Sequence, residues 1–216
     1  VTRVWDLPTR LFHWVLVLFV SFSIVSAKIG GNWIDWHMRS GYCILALVLF
    51  RIMWGFAGSH HARFVNFVRP PGAVLAYLRE LRGTNRLALA GHNPLGALSV
   101  LAVIVALLLQ ASTGLFANDS IASEGPLARL VSNRTSDLLT GIHKINQYVI
   151  FTLIALHLAA IAYYYFAKRE NLVLPMLTGD KPGSGFVASR DDVGTRVRAA
   201  VLLAIAAALA GYVITR

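Results

Sequence analysis

Gly141-Ile-His-Lys-Ile-Asn-Gln-Tyr-Val-Ile-Phe-Thr-Leu-Ile-Ala-Leu-His157 carries two histidines, His143 and His157, fourteen residues apart inside one apolar run. At 3.6 residues per turn, that spacing is a little under four turns. Both imidazoles therefore leave one face of a single helix, roughly 21 Å apart along its axis. A membrane core is about 30 Å thick, so side chains at this separation can serve two sites, one near each surface. The bland alternative is two unrelated polar residues in a membrane helix, but ionisable groups in lipid are costly and are usually functional.

The composition agrees with a membrane setting. Of 216 residues, 56% are hydrophobic and 14% charged, with a mean hydropathy of +0.62; a soluble domain carries about 25% charged residues. The formal net charge is +10. The basic residues gather in the links between apolar runs, which points to membrane topology and away from a nucleic-acid partner. Cys43 is the one cysteine. It can form no internal disulfide, and no Cys-x-x-Cys-His stretch exists for covalent haem attachment.

Apolar runs long enough to span occur at about Leu11–Ala27, Gly41–Ala57, Leu95–Phe116, Ile142–Ala167 and Ala199–Ile214. The first, with Arg3 and Arg10 before it and Val25-Ser26-Ala27 after, can also be read as a secretory signal. His13 inside its apolar part favours a retained span. No internal repeat is visible, so the expectation is one all-α transmembrane bundle over residues 1–216. Thirteen lysines and arginines lie in the N-terminal tail and the links 58–94 and 168–198, against three in the links 28–36 and 117–141. The positive-inside rule then puts the N-terminus in the cytoplasm and the C-terminus outside. Residues 72–82, entered by Pro70-Pro71, predict a short interfacial helix. The link with Asn118, Ser120, Gly125 and Pro126 reads as irregular and exposed, and the one around residues 179–198 as mobile. The fifth helix carries no ionisable residue between Arg198 and Arg216 and is expected only to pack.

This topology sorts the histidines by depth. His37 and His143 fall at outer helix ends, His13 and His157 near the inner side, so two sites result, each bridged by two helices. Zinc wants four protein ligands, or three and a water, and no Cys, Asp or Glu lies at matching depth. Haem needs only two axial ligands and fills an apolar slot. Two histidines per site thus favour bis-histidine haem b, with electron transfer as its chemistry. The haem core would run from about residue 9 to 167, with an extra helix at about 199–214. Arg51 lies fourteen residues after His37, at the inner depth. It reads equally as a propionate partner or as a snorkelling surface charge. Arg39 and Lys144 can serve the outer propionates or be surface charges; Gly41 can admit a porphyrin or mark a helix contact. His60 and His61 read as surface residues. His92 reads as a capping or turn residue before Pro94, or as a point where a proton or quinone headgroup arrives.

Val4-Trp5-Asp6-Leu7-Pro8-Thr9-Arg10-Leu11-Phe12-His13-Trp14, His37-Met-Arg-Ser-Gly41, Arg51-Ile-Met-Trp54, Gly91-His-Asn-Pro-Leu-Gly96 and the His143/His157 pair resemble, in order, segments of the bacterial cytochrome b561 superfamily. The likeness is nearest to the cytochrome b subunits of nickel–iron hydrogenases and runs from Val4 to about Lys181. It implies four helices around two haem b groups, ligated by His13, His37, His143 and His157, passing electrons between membrane quinone and a redox partner in a bacterial inner membrane. The link between the first two helices is shorter than in the hydrogenase subunits. That favours a periplasmic c-type cytochrome, or another oxidoreductase subunit, as partner. Two rivals are a stand-alone oxidoreductase acting on a small molecule such as superoxide at the outer haem, and a proton-coupled transporter. A basic outer funnel would mark the first and broken mid-membrane helices the second, and the sequence has neither.

Overall fold

The computed structural model describes residues 1–80, 90–119, 123–183 and 185–216. A short strand β1 (Thr2–Arg3) precedes helix α1 (Leu7–Ile29), and α2 (Ile34–Ala57) returns beside it. Two short helices, α3 (Phe64–Phe67) and α4 (Pro71–Glu80), lead to α5 (Pro94–Gly114) and the long α6 (Asn133–Phe166). Helix α7 (Val173–Thr178) and strand β2 (Asp180–Lys181) then connect to α8 (Val193–Ile214). The helices α1, α2, α5, α6 and α8 are long and apolar enough to cross a membrane, and the chain is a multi-pass membrane protein with an all-α bundle.

Several helices start well before their apolar runs. Helix α2 begins seven residues before Gly41, α6 nine before Ile142 and α8 six before Ala199. Hydropathy marks where the chain meets lipid, whereas a helix begins where a side chain can cap its free N–H groups. Ser132 accepts from the Thr135 N–H at 3.2 Å, and Asp192 from the Thr195 N–H at 2.7 Å. Asp6 does the same for Thr9 at 2.6 Å, and Asn93 for Gly96 at 2.7 Å. Helix α2 has no side-chain cap and continues from a 3-10 turn at Gly31–Trp33, which puts His37 inside its first turns. The 34 residues of α6 make a rod about 51 Å long, longer than a hydrocarbon core of about 30 Å.

Helix α2 is the hub, packed on α1, α5 and α8, while α6 lies along α5 and not along α1 or α2. Ile44 and Val48 of α2, Ile104 and Leu107 of α5 and Ile150 of α6 form the central core. Alanines 199, 206 and 210 of α8 let it approach α2 closely from the far side, as expected of a packing helix. The gaps left between α6 and its two distant neighbours are where the histidines stand.

The links are better ordered than their composition suggests. Interfacial helix α4 spans Pro71–Glu80, and residues 81–82 of the expected helix lie outside the described residues. The Tyr77 hydroxyl ties α4 to Tyr164 of α6 at 2.5 Å. In the link after α5, where Ser120 lies outside the described residues, the Gly125 N–H donates to Ala117 O and the Leu127 N–H to Leu115 O, at 2.7 and 2.9 Å. Leu127 is buried, and a Cβ on Gly125 would collide with the Leu115 carbonyl. This part of the link is packed rather than exposed.

The link expected to be mobile is latched to the N-terminus. Strand β1 pairs antiparallel with β2, Thr2 opposite Lys181, and the Val4 and Trp5 N–H groups both donate to Gly179 O. Arg3 binds Asp180 at 2.5 Å and Asp191 at 2.7 Å. The Ser189 N–H donates to Arg3 O and its hydroxyl to Val4 O at 2.6 Å. Glycine and charge looked like disorder because each partner lies at the opposite end of the chain, 177 and 188 residues away for the two aspartates of Arg3. Burial opposes ionisation of Asp191, but hydrogen bonds from Arg196, the Leu7 N–H and Arg3 outweigh it and hold the carboxyl below the usual carboxylate range.

Asp191→Asn should weaken this latch by about 2 kcal/mol, measured as faster proteolysis of the segment between α7 and α8 in detergent. Because the folded-state pKa is depressed, the ionised Asp191 contributes fully above pH about 4 and loses its contribution as pH falls through the lower folded value. Wild-type cleavage should therefore rise in acid, and that of Asp191→Asn should rise less.

Candidate functional site

Two imidazole pairs face each other across the gaps beside α6. His37 of α2 and His143 of α6 have ring centroids 6.0 Å apart with planes at 85°. His13 of α1 and His157 of α6 have centroids 6.5 Å apart with planes at 54°. An imidazole nitrogen binds a first-row metal at about 2.0 Å, so two rings in trans on one metal have centroids roughly 6.4 Å apart. Both pairs thus stand at the spacing that a single iron with two axial imidazoles requires. Among the described residues no group of three or more His, Cys, Asp or Glu could hold a bare metal ion. A centre that brings its own equatorial donors suits this donor set.

The His37–His143 pair opens on a cavity of about 480 Å³, lined by residues of α1, α2, α5 and α6 and by the link after α5. Pockets that enclose a drug-sized molecule span about 300–1,000 Å³. Its walls are mostly apolar, among them Val20, Ile24, Met38, Leu107 and Phe151. Gly41 also lines it, and a Cβ there would meet nothing within 4 Å, so the glycine keeps open a space that a side chain would fill.

Each imidazole of this pair is aimed by its second nitrogen. His37 Nδ1 lies 2.9 Å from the Ser23 carbonyl, and His143 Nδ1 lies 2.9 Å from the Gln110 carbonyl. A carbonyl can only accept, so both Nδ1 atoms carry the proton and both Nε2 atoms present a lone pair. This is the arrangement by which proteins orient metal-binding histidines. Gln110 is itself held: its side-chain amide donates to His143 O at 3.1 Å, and Asn146 donates to its side-chain oxygen at 2.7 Å. Thr113 adds its hydroxyl 3.4 Å from His143 Nδ1. Ser23, Gln110, Thr113 and Asn146 were passed over in the sequence. The signal available for Gln110 and Asn146 was an amide deep in an apolar run.

The cationic candidates divide. Lys144 lines the cavity, joined by Lys28, which lies 6.0 Å over the Phe151 ring and which spacing did not single out. Arg39 sits over the Trp36 ring at 5.2 Å and does not line the cavity. At the other pair, His157 is exposed on the flank of the bundle. His13 Nδ1 is buried without a hydrogen-bond partner. Arg51 is buried at this end, its guanidinium over the Phe64 and Phe67 rings. His60 and His61 form a short 3-10 turn after α2. His61 is only half-buried and hydrogen-bonds the Val187 carbonyl at 2.8 Å. Between the two pairs lies only the packed apolar core around Val48, Ile104 and Ile150.

The family described as prokaryotic cytochrome b561 matches residues 4–179. A curated relative from Azotobacter chroococcum mcd 1, named a probable Ni/Fe-hydrogenase B-type cytochrome subunit, is 26% identical over 210 residues, covering 82% of this chain and 86% of its own. A relative of the same name from Azotobacter vinelandii is 31% identical over 128 residues, 47% of this chain and 52% of its own. No solved structure matches the chain.

Two glycines test the cavity from opposite sides. A Cβ on Gly114 would stand 3.0 Å from His143 Cε1 and 3.2 Å from its Nδ1. Gly114→Val should therefore push the ring off the Gln110 carbonyl and lower the melting temperature of the protein without cofactor. Gly41→Phe enters open space and should leave that melting temperature within a few degrees, yet weaken cofactor binding at this site by at least about tenfold, or 1.4 kcal/mol. Thermal melts and cofactor titrations of the two variants check both outcomes.

Proposed function

Because the chain belongs to the prokaryotic cytochrome b561 family, we propose that it is a di-haem b membrane cytochrome carrying electrons between the quinone pool and a redox partner. The observation that supports this most is the pair of imidazole couples, each at the spacing of one iron, at either end of a dry core. His13 and His157 would hold one haem, His37 and His143 the other. A haem b with both axial positions filled supplies one-electron exchange and offers no open position for oxygen.

The chain's own groups do the rest. The Ser23 and Gln110 carbonyls fix the protonated nitrogens of His37 and His143, which leaves their Nε2 lone pairs for iron. Gly41 leaves room for the ring, and Lys28 and Lys144 stand where they can meet propionates at the cavity rim. Arg39, stacked on Trp36, is a more distant charge that steers the same end. Arg51 serves the propionates at the other end, where a buried guanidinium requires an anion. The apolar layer around Ile44, Val48 and Ile150 keeps water and protons from following electrons between the sites.

The clustering of lysine and arginine in alternate links supports a bacterial inner-membrane protein with its N-terminus in the cytoplasm and its C-terminus in the periplasm. The His37–His143 site would then face the periplasm and a partner there, a c-type cytochrome or the electron-carrying subunit of an oxidoreductase. The Azotobacter relatives are named as hydrogenase subunits, so a hydrogenase is the alternative partner. In the described part of the link after α5, Arg129 is paired with Glu124 at 3.3 Å, which does not favour a superoxide-oxidising site there.

A reduced-minus-oxidised spectrum of the purified protein should give six-coordinate haem b bands, with two haems per chain by pyridine haemochrome assay. His157→Ala should remove one haem and keep the other. Equal loss of both would break the assigned pairing, and a colourless preparation would end the reading altogether.

A further inference from the structure

Beyond the four imidazoles, four side chains among the described residues keep a buried nitrogen with nothing to bond, Arg10, Arg51, Arg63 and His92, and two of these share a ring neighbour beside the His13–His157 pair. Arg51 is 3% exposed, and its Nη1 has no hydrogen-bond partner. His92, the residue before the α5 cap, packs against Trp5 and Phe67 with ring centroids 4.7 Å away in each case. Its Nδ1 is likewise buried and unpartnered. Phe67 touches both groups, since the Arg51 guanidinium lies 5.9 Å over its ring.

His92 also lies beside the gap between the histidine pair. It is near enough to Arg51, His61, His13 and His157 to feel the charge of each. Burial, and the Arg51 charge next to it, push the His92 imidazole down to about 3. In either protonation state the ring keeps an N–H to donate. Among the described residues no acceptor bonds Arg51 Nη1 or His92 Nδ1. Asp6 is the carboxylate nearest Arg51 in effect, but its two oxygens are taken by the Thr9 N–H and the Ser59 hydroxyl.

A capping or packing role for His92 explains the ring contacts and leaves the bare nitrogen unexplained. Water could satisfy the hydrogen bonds, and Asp6 gives Arg51 some charge compensation, but a guanidinium this deeply buried with a bare nitrogen favours an acceptor that is itself charged. The missing acceptor is thus anionic, small enough to share, and located beside the His13–His157 gap. We propose that Arg51 and His92 together grip one propionate of the haem held between His13 and His157, Arg51 as the charge partner and His92 as an N–H donor. This rests on the di-haem reading and adds His92 to it.

The consequence is a difference between the two haems. At the His37–His143 cavity the available cations are Lys28 and Lys144, both exposed, so their influence is screened by salt. At the other site the compensating charge is buried and is not screened. Neutralising a propionate favours the ferrous iron, so this haem is held at a higher potential than its ligands alone would set.

The test is an optical redox titration of the full-length protein with both haems bound, comparing His92→Leu, which removes the donor, with His92→Gln, which keeps an N–H. Haem content should stay at two per chain in both variants. His92→Leu and Arg51→Gln should each lower the midpoint of the same single haem, the one lost in His157→Ala, with little effect of added salt. His92→Gln should stay near wild type. If His92→Leu loses that haem and His92→Gln retains it, the grip is supported in a stronger form. The proposal falls if both midpoints are unmoved in His92→Leu, if the haem that moves is the one lost in His37→Ala, or if Gln and Leu are equally damaging, which is the mark of packing alone. A wild-type preparation without haem would fail the di-haem reading instead, before any variant is made.

Discussion

An imidazole in hydrocarbon has two nitrogens to satisfy, and the bundle is arranged around that requirement. Each nitrogen left bare carries a penalty of about 1–3 kcal/mol, and what a neighbouring helix can offer it is the second lone pair of a backbone carbonyl. At one end of the molecule the answer is visible: His37 and His143 each give Nδ1 to a carbonyl of the neighbouring helix and present Nε2 to a cavity. At the other, His13 Nδ1 finds no partner at all. Among the long helices α6 lies chiefly along α5, which leaves gaps towards α1 and α2 where the rings stand.

The two ends differ in enclosure as well as in bonding. The His37–His143 cavity is roofed by the link that follows α5, pinned by Gly125 and Leu127 to the helix end. The His13–His157 gap is open at the flank, with His157 exposed where lipid tails would lie. Beside the open gap stand Tyr164, Tyr77 and Asn93, hydrogen-bonded in a chain.

The helix count, and the face and depth of His13, His37, His143 and His157, were legible from spacing because a membrane helix has one period and one length scale. What escaped was whatever depends on a second chain segment. Backbone carbonyls such as those of Ser23 and Gln110 look alike in any sequence, and only the fold shows which one lies opposite an imidazole. Lys28 seemed a loop charge until α1 proved to run to Ile29, which puts it at the rim of a cavity. The polar first turns of α2, α6 and α8 fell outside any hydropathy window, although Ser132 and Asp192 stood in the sequence as caps. The segment around residues 179–191 failed for the reverse reason. Its composition is that of a loose linker, and its order comes from Arg3, Val4 and Leu7 at the other end of the chain, together with Ser59 and His61 after α2.

That closure has a bearing on biogenesis. The segment that fastens α1 in place leaves the ribosome almost 180 residues after Arg3 does, on the order of ten seconds or more at ordinary rates of translation. Until then the start of α1 is held only by earlier partners, Trp54 on Thr9 and Ser59 on Asp6. The strand pairing and the two ion pairs of Arg3 are added after α1 to α7 have been made, as a last fastening on an end already in place.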